Sequence, residues 1–245
     1  MRRIRTIDWR PADAWTAPAK GVLDLWRLAL VPREGDRDLL TDEERARAER
    51  LIIPSKRDQF IAGRASLRTM LSRYLGCGPE DLSFEYGEHG KPFLAGVPEL
   101  AFNLSHSHEL GILVVDPDPA GGLIGIDIEW HKPERALVEI AKRFFSQYER
   151  ALLGDAEAAA VDGLFYRAWA QKEAYLKAWG TGLSFPSTGF TIEMDPDRPP
   201  RVVETTRPGD EDPARWCVED LEVAEGYATA LCYEGPSRPL RGFDR

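Results

Sequence analysis

The 245-residue chain is poor in cysteine: Cys77, Cys217 and Cys232 stand far apart, odd in number and without CxxC spacing. That excludes a disulfide framework and a zinc knuckle, and it fits a reducing, cytosolic setting. Long hydrophobic runs are also missing. The longest, Leu110 to Val115 with a glycine inside it, is far too short to span a bilayer. Met1-Arg2-Arg3 opens like an export signal, but Thr6-Ile7-Asp8-Trp9-Arg10-Pro11 stands where the apolar stretch should follow. Excess basic charge is lacking as well, with 32 Lys and Arg against 41 Asp and Glu and a net charge of −9. A general nucleic-acid binder needs a basic field to displace counterions, so that class is set aside while a local basic pocket is not. The length allows one or two domains with a sizeable core.

Against these absences the chain has clear punctuation. Val22 to Leu28 alternates at period two and predicts a strand. Thr41 with Glu44 is a helix start, opening a segment dense in Arg45, Arg47 and Arg50. A second helix is expected from Lys56 to Leu75, stopped by Gly76. Short strands follow at Leu82 to Tyr86, Phe93-Leu94, Leu110 to Val115 and Leu123 to Trp130. The turn cluster Asp116 to Gly122 is a hairpin loop or the joint between halves. Beyond it, Ala136 to Phe145 and Gly163 to Trp179 predict helices. Thr191, Val202, Trp216 to Val223 and Tyr227 to Tyr233 predict strands, and Asp195 to Asp212 reads as a surface loop. Gly63 to Arg68 resembles Lys172 to Lys177 at an offset of 109 residues, and each is followed by glycine and then Leu-Ser-Phe. A duplicated α+β fold would follow, with a cleft shared between its halves.

Four constellations could carry chemistry. In Gly125-Ile126-Asp127-Ile128-Glu129-Trp130, a strand sends the isoleucines into the core and both carboxylates to the other face, about 7 Å apart. Adjacent carboxylates repel and raise each other's pKa unless a cation lies between them, magnesium being the simplest choice; the plain alternative is an acidic strand facing water. On the helix Gly163 to Trp179, Glu173 and Lys177 sit one turn apart on the flank of an apolar stripe, and Lys172 falls inside it. Glu173 and Lys177 are either an exposed ion pair or a third metal carboxylate beside a phosphate-binding lysine. Lys172 either lays its stem on apolar surface or delivers a cation into a cleft. Phe102 to His108 reads as a loop presenting hydroxyl and imidazole to a ligand; it lacks the further ligands of a zinc site. Gly90-Lys91-Pro92 reads as a turn whose lysine could meet an anion.

In this order the motifs resemble the 4′-phosphopantetheinyl transferases of the long, pseudo-dimeric, surfactin-synthetase-activating type. The resemblance runs through Gly90-Lys91-Pro92, Phe102 to Ser107, Gly125 to Glu129, Arg143-Phe144-Phe145-Ser146 with Glu149, and Trp169 to Lys177 followed by Gly180-Thr181-Gly182-Leu183. It implies an α+β fold of two similar halves, placed at residues 1–120 and 121–245 with the metal site in the second. It implies transfer of phosphopantetheine from coenzyme A to a serine of an apo acyl or peptidyl carrier protein, releasing adenosine 3′,5′-bisphosphate. The cofactor it implies is Mg2+, with Mn2+ as the alternative ion, held by Asp127, Glu129 and Glu173. Lys177 matches a pyrophosphate contact, and Glu149 or a magnesium-bound water is the candidate base. Gly90, Lys91, Pro92, Ser105 and His106 match the stretch that holds the nucleotide, His106 near the 3′-phosphate. Arg47, Arg50, Arg64 and Lys172 match basic positions that meet the coenzyme A phosphates. Ala170, where the family usually has Ser or Thr, and His108, where a small residue is common, are departures. A cytoplasmic monomer that uses neither nucleic acid nor membrane is expected. The rivals are a magnesium-dependent phosphodiesterase or nuclease, which leaves Gly90-Lys91-Pro92 and the Ser-His-Ser segment unexplained, and a non-catalytic coenzyme A binding module.

Overall fold

The computed structural model describes residues 4–119, 122–132 and 136–245, so Met1-Arg2-Arg3 and part of the Asp116 to Gly122 turn lie outside the described residues. The first half begins with β1 (Ile4–Thr6), β2 (Trp9–Pro11) and β3 (Leu23–Ala29). Helix α1 (Asp42–Glu49) is closed by a capping box: the Thr41 hydroxyl accepts the Glu44 N–H, and the Glu44 carboxylate accepts the Thr41 N–H. Helix α2 (Pro54–Leu75) starts on a proline, whose missing N–H costs nothing there, and ends at Gly76 in the left-handed conformation. A small hairpin, β4 (Phe84–Tyr86) and β5 (Pro92–Leu94), precedes a long one, β6 (Ala101–Ser107) and β7 (Leu110–Asp116).

The second half repeats the sequence of elements. It runs from β8 (Ile124–Trp130) through α3 (Leu137–Phe144), α4 (Gln147–Asp155) and α5 (Ala158–Trp179) to a small hairpin, β9 (Phe190–Ile192) and β10 (Val202–Thr205). The long hairpin β11 (Trp216–Glu222) and β12 (Tyr227–Glu234) follows, then β13 (Leu240–Asp244). Helices α2 and α5 both have 22 residues and both end at a left-handed glycine, Gly76 and Gly180. Their offset is therefore 104 residues, and the 109-residue match expected from sequence is five residues out of register. Strand β3 matches β8 at an offset of 101.

Two sheets, ordered β2-β13-β3-β7-β6 and β1-β11-β12-β8, pack face to face. Leu23, Leu25, Ile112 and Val114 of the first meet Ile124, Ile126, Ile128 and Leu231 of the second. Each such fully buried aliphatic side chain stabilises by about 1.5–3 kcal/mol. Helix α2 covers the other face of the first sheet through Leu67, Met70 and Leu71, and α5 covers the second through Ala170, Ala174 and Ala178. The α+β class with two similar halves follows. The 120/121 division does not hold at the termini, because β1 joins the second sheet and β13 the first. The outer face of β8 does not face water either. A Cβ on Gly125 would lie 2.2 Å from the Ala174 carbonyl oxygen, so α5 rests directly on the strand backbone.

Candidate active site

Strands β6 and β8 are the facing edges of the two sheets, and side chains of β6 bond across to β8. Asn103 Oδ1 accepts the Ile126 N–H at 2.8 Å and Ser107 Oγ accepts the Trp130 N–H at 3.0 Å. The segment expected as a ligand-presenting loop is thus a strand, and its polar residues 103, 105 and 107 form one period-two row. The turn after it holds His108 at φ 53, a left-handed position that glycine takes most readily and that histidine adopts more often than most side chains, with its ring stacked on Trp130 at 4.2 Å.

Asp127, buried to 3% exposure, is the centre of the cluster. Its Oδ1 receives the Ser105 hydroxyl at 2.8 Å and the Lys177 ammonium at 2.5 Å, and Lys177 also donates to Ser105 Oγ at 2.7 Å. Its Oδ2 is buried without a partner. Glu129 is held by Ser107 Oγ and Trp169 Nε1, each at 3.2 Å. Burial and then the Asp127 charge push the Glu129 carboxyl above the ordinary range. The same two causes push Glu173 up to about 7, with Lys177 opposing. His106 is driven down by burial and by the Lys177 and Lys56 ammonium groups, against Asp127.

Three carboxylates facing one nearby ammonium, with an orphaned buried oxygen among them, suit a hard divalent cation bound through oxygen. Asp127, Glu129 and Glu173 therefore fit magnesium chemically. Among the described residues no three His, Cys, Asp or Glu side chains are gathered closely enough to hold an ion as they stand; Lys177 occupies Oδ1 of Asp127.

Other expected residues lie elsewhere. Arg47, Arg50 and Arg64 line a pocket of about 380 Å³ with Phe60, Phe84 and Tyr86. Arg64 reaches Glu44 and the Tyr86 hydroxyl, and its Nη1 is buried without a partner. Gly90 takes φ 81 to close the turn into Pro92 at the start of β5. Lys91 lines an open groove, and its ammonium donates two of its three protons to the Ile124 and Ala178 carbonyls at 2.8 and 3.0 Å, tying β8 to the end of α5. Burial lowers its pKa to about 8. The groove is about 480 Å³ and is lined also by His89, Pro92, Phe102, Trp179 and Thr181.

Glu149 and Lys172 require correction. Lys172 Nζ donates to both Glu149 oxygens at 2.8 and 2.9 Å and to the Phe190 carbonyl at 2.9 Å. Glu149 also accepts the Ser146 and Ile192 N–H groups at 2.7 and 2.8 Å. With three donor groups making four hydrogen bonds to its two oxygens and no solvent exposure, Glu149 has no lone pair free for a substrate proton, and Lys172 has none of its three protons free for a phosphate. Helix α4, which carries Glu149, is absent from the sequence reading, although Ser146 with Glu149 is the same capping signal as Thr41 with Glu44. Ala170 is fully buried against the core, where a hydroxyl would need an acceptor. Ser107, Asn103 and Trp169 belong to the site and were missed as individual contributors; alternation through residues 103–107 was the available signal.

A family model described as the 4′-phosphopantetheinyl transferase superfamily matches residues 123–232. The 4′-phosphopantetheinyl transferase HetI of Nostoc sp. (strain PCC 7120 / SAG 25.82 / UTEX 2576) is 38% identical over 234 residues, covering 93% of this chain and 94% of the relative. The 4′-phosphopantetheinyl transferase Sfp of Bacillus subtilis (strain 168) is 32% identical over 212 residues, covering 82% and 90%. Among solved structures, Thermotoga maritima holo-(acyl-carrier-protein) synthase overlaps 47% of this chain and 64% of its own, with a TM-score of 0.37 and 20% identity, a likeness too partial to carry the fold. With two relatives of one activity aligned over most of its length, the chain belongs to the 4′-phosphopantetheinyl transferase superfamily and is an enzyme of that type.

Proposed function

We propose that this enzyme moves the phosphopantetheine arm of coenzyme A onto a serine of an acyl or peptidyl carrier protein, with magnesium as cofactor, acting in the cytoplasm as a monomer. The observation that carries the proposal is the convergence of Asp127 and Glu129 from β8 with Glu173 and Lys177 from α5, faced by Ser105 and His106 from β6. The serine oxygen forms a bond to the phosphorus bearing the pantetheine arm. The phosphoanhydride bond breaks, adenosine 3′,5′-bisphosphate leaves, and the serine proton passes to a group in the cleft other than Glu149.

A displacement of this kind leaves the protein little covalent work, so its residues act by positioning and by neutralising charge. Asp127, Glu129 and Glu173 would hold the metal, which when bound polarises the phosphate oxygens and offsets their charge. Lys177, released from Asp127, would meet the pyrophosphate, and Ser105 would orient it. His106 and the pocket of Arg47, Arg50 and Arg64 would take the remaining phosphate charge. No helix among the described residues is long and apolar enough to cross a membrane. The phosphodiesterase reading gains no separate observation.

Incubation with coenzyme A, magnesium and several apo carriers, read by the phosphopantetheine mass increment on the carrier, tests the proposal. Transfer that disappears with a chelator or with Asp127→Asn is expected. No increment on any carrier, together with cleavage of simple phosphodiesters, would overturn it.

A further inference from the structure

A cavity of about 140 Å³ lies between the first half of α5 and the hairpin of β11 and β12. None of Asp127, Glu129, Glu173 and Lys177 lines it, so it is separate from the catalytic cluster. Ile4, Leu164, Pro196 and Ala228 give it apolar walls. An apolar space of about 150 Å³ is enough for a benzene ring, so the volume limits an occupant to a single six-membered ring and little more.

The polar lining decides the chemistry of that occupant. Arg167 and Asp220 both line the cavity, but as a pair closed on itself. Arg167 donates from Nε to Asp220 Oδ2 at 2.6 Å and from Nη1 to the Met194 carbonyl at 3.2 Å, and Gln171 donates to Asp220 Oδ1 at 2.6 Å. No charge is left over to hold an ionic ligand, and an ion entering would give up its hydration without compensation. His131 is different. Its ring stacks on Tyr166 at 4.8 Å, and its Nε2 is buried without a partner. The Tyr166 hydroxyl is already engaged by Lys132, accepting its N–H at 3.0 Å and donating to its carbonyl at 3.2 Å. A ligand that bonds to Nε2 removes the penalty of an unpaired buried nitrogen. A hydroxyl can do so whichever ring nitrogen carries the proton, because it both donates and accepts.

We propose that this cavity is a binding site for a small neutral ring bearing one hydroxyl, phenol being the simplest case, with the ring against the apolar walls and the hydroxyl on His131 Nε2. The assignment does not rest on the transferase reading and would stand whatever reaction the cleft performs.

The test is titration of the isotope-labelled full chain with phenol, benzene, benzoate and benzylammonium, read by the amide shifts of His131, Leu164 and Ala228. Phenol should saturate these shifts with a Kd of about 1 mM or tighter. Benzene should move the same amides with about fivefold weaker affinity, the difference one hydrogen bond makes, and neither ion should bind there. The phenol shifts should persist in saturating coenzyme A. His131→Phe keeps a ring for the Tyr166 stack, so it should hold the wild-type melting temperature while binding phenol no better than benzene. Failure of phenol to saturate these amides by about 20 mM, twentyfold above the expected Kd, overturns the assignment. So does equal affinity of the wild type for phenol and benzene, binding of either ion at these residues, displacement of phenol by coenzyme A, or an undiminished preference for phenol in His131→Phe. If His131→Phe does not fold, the wild-type comparison of phenol with benzene decides the matter alone.

Discussion

Replacing Lys172 by Met isolates what the Glu149–Lys172 pair does. The side chains are 0% and 2% exposed, and the lysine supplies two of the four bonds on the Glu149 oxygens. Removing one partner of a pair this deep leaves a buried, uncompensated carboxylate, at a cost of about 3–5 kcal/mol. For a chain of this length each kcal/mol lowers the melting temperature by roughly 2–4 °C, so a drop of roughly 6–20 °C is expected. The Ser146 and Ile192 N–H groups bond different Glu149 oxygens, so Glu149→Gln keeps an acceptor for only one of them, and Lys172→Met with Glu149→Gln should lose less than the two single variants added together. Thermal unfolding by circular dichroism and carrier transfer, measured well below each melting temperature, separate stability from chemistry. In the buried-pair account Glu149→Gln keeps kcat within a few-fold per folded molecule, whereas removing a general base costs about 10²–10⁴. A Glu149→Gln enzyme with unchanged melting temperature and kcat reduced a hundredfold would refute the reasoning.

In chelator, Glu173→Gln should stabilise the protein, and more so at pH 8 than at pH 5. The wild-type carboxyl binds its proton more tightly folded, at about 7, than at the ordinary 4.5, so wild-type stability falls as pH rises across that window; equal melting temperatures for the two proteins at both pH values would contradict this. Gly125→Ala should fail to accumulate as folded protein, because its Cβ would meet backbone atoms of Ala174 and Ala178 at 2.2 and 2.3 Å; normal unfolding cooperativity would show that α5 can retreat from β8. His106→Ala should raise the KM for coenzyme A more than that for dephospho-coenzyme A, and equal losses would remove its 3′-phosphate role.

Where one face of an element decides its conformation, the sequence was readable. Alternation in Val22 to Leu28 and the Thr41/Glu44 cap led directly to β3 and α1. Asp127 and Glu129 were legible as a pair because Ile124, Ile126 and Ile128, alternating with them, define an inward face. The reading stopped where partners come from distant segments. Lys172 looked like a surface or cleft lysine because its counterion lies 23 residues earlier, on α4. Asp210, in a stretch taken for surface loop, is fully buried, with its carboxylate accepting from Tyr175 and Trp216. The polar density of residues 103–107 suggested a loop because its acceptors and donors are on the facing edge of another sheet.

The duplication explains why one molecule carries one such site. Glu44 of the first capping box grips Arg68 on α2 as Glu149 grips Lys172 on α5, and Arg68 precedes Lys172 by the same 104 residues that separate the two helices. The supporting device is therefore present twice, while the chemistry is not. At the corresponding offsets, Trp26 and Leu28 stand for Asp127 and Glu129, and Thr69 and Arg73 for Glu173 and Lys177. Trp26 and Leu28 are core residues under α2, so the first half could not hold carboxylates there without burying them unpaired, a cost of several kcal/mol. What the first half contributes instead is β6, whose Ser105 and Ser107 reach Asp127 and Glu129 across the seam. An acidic set on one half and its hydroxyl partners on the other make the site a property of the seam, so neither half alone would assemble it.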